Sequence, residues 1–124
     1  MRLKVKQFVY LPDDLQKLWS NIPTKKEIDD DLIDKFVEYL KRNSQKNDYV
    51  LVQGDFGMVF AIVDWCLNNN RIPIYSTTER IAKEQHKDDG SVDMVHRFKH
   101  VRFREYRRFT SKRKIRSFYA KNYF

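Results

Sequence analysis

Cysteine occurs once in this 124-residue chain, at Cys66, so no disulfide framework can form within it and a multi-thiolate zinc site is excluded. Glycine and proline are scarce at three each, which excludes collagen-like and linker-like composition. No apolar run approaches the ~18 residues that a membrane helix needs, and Met1-Arg2-Leu3-Lys4 leads into no signal-peptide core. The expectation is a cytoplasmic protein with no membrane association and an inert, buried thiol. Acid is nearly missing from one region. Residues 96–124 hold eleven Lys and Arg against a single carboxylate, Glu105, while the net charge of the whole chain is only +8.

What is present is ample core material, 41% hydrophobic and 15% aromatic, at a length usual for one domain. The C-terminal excess of positive charge points to a polyanionic partner or to a solubilising tail. We therefore expect one α/β domain over residues 1–106 and a basic, aromatic extension over 107–124.

Periodicity sets the expected elements. Residues 3–10 alternate apolar and polar and read as a strand ending at Pro12. Asp13-Asp14 opens a short helix with Leu15, Leu18 and Trp19 on one face. Thr24 and Glu27 have capping-box spacing, ahead of a helix whose apolar stripe is Ile28, Leu32, Phe36 and Leu40. Asp29, Asp30, Asp31 and Asp34 lie on its polar face as dipole-favoured charges rather than as a metal site. Residues 49–52 are an apolar run suited to a strand buried on both faces, and Met58 to Leu67 reads as a buried helix. Ile72 to Tyr75 is a further strand, parallel to the first. A weak helix to about Gln85 is expected next, then the Asp88-Asp89-Gly90 turn and either one long strand over 91–106 or two strands joined by a turn. This order implies a mostly parallel, Rossmann-like sheet with flanking helices, with room for an antiparallel edge strand.

Ligands of such sheets sit beyond the carboxyl ends of the strands, and two segments are expected there. Gln53-Gly54-Asp55-Phe56-Gly57 joins strand to helix; its glycines allow close backbone approach, and the helix N-terminus offers N–H groups to phosphate. An ordinary tight turn has the same composition. Asp-Phe-Gly matches a kinase magnesium motif, but the chain is too short for a kinase and lacks the companion loops. Ser76-Thr77-Thr78-Glu79-Arg80 offers hydroxyls for ribose or phosphate and a guanidinium for bidentate phosphate contact, or else a Ser/Thr cap beside a solvated arginine. His86, His96 and His100 lack metal-ligand spacing. No metal or cofactor is expected.

Four blocks occur in one order: Tyr10 through Pro23, Val52 through Gly57, Ser76 through Arg80, and Phe98 through Tyr106. Together they resemble a small stand-alone CRISPR-associated family of the Csx type, counted among the ring nucleases of type III systems. The resemblance implies a CARF-like, Rossmann-like domain, a homodimer that holds cyclic oligoadenylate, cyclic tetra-adenylate above all, across its two-fold axis, and cleavage that ends antiviral signalling. Members of that family carry a further strand and helix ahead of the block at Tyr10, which this sequence does not show. Metal-independent cleavage by the ligand's own ribose 2′-hydroxyl needs only positioning and charge stabilisation. Carried onto the matching positions, the roles are Arg80 on the developing charge and Asp55 on a hydroxyl, or else Asp55 as a cap of the helix that follows. Gln53, Gly54, Phe56, Gly57, Ser76, Thr77, Thr78 and Arg102 are the ligand-binding set. Two alternatives remain open: a non-catalytic cyclic oligoadenylate binder, and a single-stranded RNA or DNA binder acting through residues 96–124.

Overall fold

A computed structural model describes residues 5–109. Three helices and three strands follow in the order α1 (Asp13–Ser20), α2 (Asp30–Asn43), β1 (Tyr49–Leu51), α3 (Phe56–Asn68), β2 (Ile72–His86) and β3 (Val92–Glu105). The sheet order is β1-β2-β3. β1 and β2 are parallel, with Val50 opposite Pro73 and Leu51 opposite Ile74. β2 and β3 are antiparallel along almost their whole length. The protein is thus α/β with a mixed sheet. The sheet has one parallel pair, β1 with β2, and an antiparallel edge strand, β3.

The core forms where α2 and α3 meet one face of β1 and β2. Phe36, Val37, Val52, Met58, Ile62 and Cys66 are buried there, with Leu18, Trp19, Ile28 and Tyr106 packed around them. The apolar stripe of α2 is the reason that helix settles on this face. Its start is Asp29, whose carboxylate accepts from the Leu32 N–H at 2.8 Å, so the helix does not begin at a Thr24–Glu27 box. Asp29 wins because a carboxylate directly before Asp30 and Asp31 satisfies the free N–H groups and the helix dipole together. Arg71 ties the opposite end of the sheet, donating to the Ser44 carbonyl at 2.8 Å and lying over the Trp65 ring at 5.0 Å.

Four further expectations are corrected. Residues 5–10 are not a strand, and Leu3 and Lys4 lie outside the described residues; the Tyr10 carbonyl instead accepts from the Tyr39 hydroxyl at 3.0 Å. β1 is covered on one face only, since Leu51 on the other is 56% exposed. α3 is not buried all round: Phe56 and Phe60, one turn apart, are 94% and 80% exposed. Residues 76–85 are strand, because β3 pairs with each residue from Ser76 to His86 across the Asp88–Gly90 turn. That tertiary pairing outweighs a weak local helical preference. Gly90 sits at φ +85° in the turn, a conformation suited to glycine. Of the extension over 107–124, residues 110–124 lie outside the described residues. Among the described residues no helix is long and apolar enough to cross a membrane.

Burial pushes the Cys66 thiol up to about 11, against a weaker pull downward from Arg71. Burial also raises the Tyr106 phenol. Each group therefore keeps its proton in the folded chain at a pH where the unfolded chain has released it. Folded-state stability is complete below the ordinary thiol value and falls as pH climbs toward 11. Urea midpoints measured between pH 8 and pH 11 are expected to decline over that window, and the decline is expected to shrink in Cys66→Ala.

Candidate functional site

At the carboxyl end of β1 the chain turns sharply into α3. The turn is held from above by α1: the Trp19 indole donates to the Gln53 carbonyl at 2.7 Å and meets Phe36 edge-on at 5.0 Å. Gly54, at φ +150°, lies directly under that indole; a Cβ there would come within 2.6 Å of Trp19 Nε1. Gly57 has a different duty. A Cβ on it would meet Ile28 Cδ1 at 2.7 Å, so glycine lets the segment ahead of α2 lie against the start of α3. Both glycines thus serve packing.

Asp55 is the N-cap of α3, accepting from the Met58 N–H at 3.1 Å. Asn at this position keeps the acceptor, so Asp55→Asn is expected to change stability by only a few tenths of a kcal/mol, whereas Asp55→Ala is expected to cost about 1 kcal/mol. Thermal melts of the two variants read the difference. An open cleft of about 390 Å³ lies over the turn, lined by Gln16, Trp19, Ser20, Gln53, Gly54 and Asp55 among others.

From this turn Gln53 reaches the neighbouring strand, where its side-chain oxygen accepts from the Ser76 N–H at 2.5 Å. Ser76 is therefore inside β2, just past the end of β1, and not in a loop. Its hydroxyl contacts His100 Nδ1, and the His100 ring rests against Phe103 at 4.6 Å. Thr78, opposite His100 in the register, shares that face. Amide, hydroxyl and imidazole so converge on the carboxyl edge of the parallel pair.

Thr77 and Arg102 pair on the other face of the ribbon, where the Thr77 hydroxyl donates to the Arg102 carbonyl at 3.1 Å and accepts from its N–H at 3.2 Å. The register shifts between Thr77 and Thr78, leaving Val101 as an extra residue. These bonds hold that bulge together. Arg80 is exposed and opposite Phe98. It lies four positions along the strand from Ser76, roughly 13 Å, so within one chain Arg80 and Asp55 are not brought together. Phe56 stands exposed at the first position of α3.

His100 is the group that sequence reasoning passed over. Its imidazole has no local companion, and only the hairpin register carries it to Ser76. The turn residues Asp88-Asp89-Gly90, between Ile72–Tyr75 and a long second strand, were the signal that could have fixed that register.

A family model described as uncharacterized protein MJ1673 family matches residues 1–104. A protein of Methanocaldococcus jannaschii described as uncharacterized protein MJ1673 is 49% identical over 104 residues, which is 84% of this chain and 80% of that protein. No solved structure matches.

Proposed function

The chain belongs to the uncharacterized protein MJ1673 family, and from that footing we propose that it binds cyclic oligoadenylate, cyclic tetra-adenylate above all, at the carboxyl edge of β1 and β2. We further propose that it cleaves the ring there. The observation that carries the reading is the junction of Gln53, Ser76 and His100 at that edge. It offers hydrogen bonds to ribose and phosphate beside a group able to carry a proton. Phe56, almost fully exposed one turn away, offers a face on which adenine can stack. The cleft over the turn adjoins this junction through Gln53, which lines it and also bonds Ser76. Arg80 follows Thr78 by two positions on the face that carries His100, so its long side chain is available to the phosphate beside that imidazole. A Rossmann-like, CARF-like relationship and a homodimer that shares one ring belong to the same proposal.

In the reaction, the ribose 2′ oxygen attacks the adjacent phosphorus. The bond from phosphorus to the 5′ oxygen breaks, giving a 2′,3′-cyclic phosphate and a 5′-hydroxyl. His100 takes the 2′ proton, and the departing 5′ oxygen takes a proton from water. Arg80 and backbone N–H groups stabilise the charge that gathers on the phosphoryl oxygens. Asp55 keeps its place as a cap.

The test is incubation with cyclic tri-, tetra- and hexa-adenylate in EDTA, with the products separated by chromatography. Linear fragments with cyclic-phosphate ends are expected in EDTA, since this route uses no metal. Binding without products would make the protein a sequestering or sensing binder. A second reading, a nucleic-acid binder, draws on one feature: Arg97, Lys99, Arg102 and Arg104 share a face of the β2–β3 ribbon. Random RNA that binds as tightly as the ring across a salt series would favour it.

A further inference from the structure

One stripe of α3 faces away from the core. Met58, Ile62 and Cys66 are the buried residues of that helix. The opposite side carries Phe56, Phe60, Asp64 and Asn68, each one turn from the next and all exposed. Val59 and Val63 are half-buried beside the two phenylalanines, so the first half of the stripe is an apolar patch. The second half has an occupant. After β3, the Tyr106 N–H donates to the Pro73 carbonyl at 2.9 Å and its hydroxyl to the Val52 carbonyl at 2.7 Å. The chain then reaches α3, where the Arg108 guanidinium donates to the Asn68 side-chain oxygen at 2.5 Å, 3.9 Å from the Asp64 carboxylate. Arg108 is thus anchored on the stripe that carries Phe60 and Phe56. Residues 110–124 continue from there with five cations and no acid. Their apolar members Ile115, Phe118, Tyr119 and Tyr123 recur at the spacing of one helical face.

We propose that residues 110–124 dock on α3 of their own chain, with Ile115, Phe118, Tyr119 and Tyr123 covering Phe60 and Phe56. The reach is sufficient. Phe60 and Phe56 stand about 6 and 12 Å along the helix axis from Asp64, and a helix as long as this segment spans about 22 Å. The periods agree as well, since Ile115, Tyr119 and Tyr123 repeat every four residues, as Phe56 and Phe60 do. The anchor decides between occupants. A segment tethered one turn from the patch meets it at roughly millimolar effective concentration, far above that of a second copy in dilute solution. The Arg108 contact is already on this stripe, so docking extends an existing interface rather than founding a new one. A docked segment competes with adenine for Phe56. That consequence rests on the ligand reading, whereas the docking itself does not.

Amide hydrogen exchange on the full chain tests it, with no nucleotide present, so a failure here leaves the ligand reading untouched. Residues 115–123 are expected to exchange at least about 10-fold more slowly than the same segment as a free peptide. Phe60→Asp is expected to return them to free-peptide rates, while the α3 amides from Ile62 to Cys66 stay protected. Ile115→Asp with Tyr119→Asp is expected to release the segment in the same way. Those two positions lie outside α3, so their result stands even where Phe60→Asp perturbs the helix. Free-peptide rates in the wild type overturn the proposal. Protection that survives Phe60→Asp overturns it in favour of another face of the domain. Protection lost on about 100-fold dilution overturns it in favour of a second copy as the cover.

Discussion

With alanine in place of His100, cleavage of cyclic tetra-adenylate is expected to fall by about 10²–10⁴-fold, the usual contribution of a positioned proton carrier. Binding is expected to change by less than about fivefold, since the proposal assigns most ground-state contacts to Gln53, Ser76 and Phe56. His100→Gln retains a hydrogen bond to the Ser76 hydroxyl but cannot carry the proton, so it is expected to be as slow as the alanine variant. Added imidazole is expected to restore part of the rate to His100→Ala, because the position is open to solvent. Normal cleavage by both variants would move the proton transfer away from this residue. An arginine removed at position 80 is expected to weaken binding as well as rate, which sets its role apart from that of His100.

The second large effect is structural. Gly54→Val is expected to destabilise the fold by about 2–5 kcal/mol, combining overpacking against Trp19 with a backbone conformation that β-branched residues avoid. At this chain length that is a fall of roughly 10 °C or more in melting temperature. Trp19→Phe removes the indole nitrogen that a new Cβ would strike, so Gly54→Ala is expected to cost less in a Trp19→Phe background than in the wild type. A melting curve for Gly54→Val that overlays the wild type would mean that α1 does not clamp this turn.

Much of the fold follows from local pattern. The fourfold repeat of Ile28, Leu32, Phe36 and Leu40 is enough to find α2, and the two short apolar runs at Tyr49 and Ile72 are enough to find the parallel pair. The length of β2 was not legible in the same way. Thr78 to Gln85 has no clean alternation, and its strand state comes from pairing with residues up to 22 positions away in sequence. Alternation at residues 5–10 misled for the converse reason, since a period of two makes a strand only where a neighbouring strand is available. Site residues divide similarly. The location of Gln53 and Ser76 at one edge was visible in the order of elements. The packing duties of Gly54 and Gly57 depend on Trp19 and Ile28, which approach from other parts of the chain. Their small side chains are accounted for before any ligand is considered.

β2 belongs to two pairings at once, parallel to β1 at its start and antiparallel to β3 for the rest. The two pairings differ in the chain closure each requires. The hairpin can zip from the Lys87–Ser91 turn, where the ends are already adjacent, and such closure takes microseconds. The parallel pair must wait until α3 has formed and returned the chain across the sheet, a longer loop with a higher entropic cost. Early zipping would deliver Ile72 to Tyr75 as an extended, prealigned template for β1. It would also make the hairpin the first ordered part of the molecule, while its exposed faces give it the least protection once folding is complete. Amide exchange on the finished protein would then run in the opposite order to assembly, fastest in the segment that formed first.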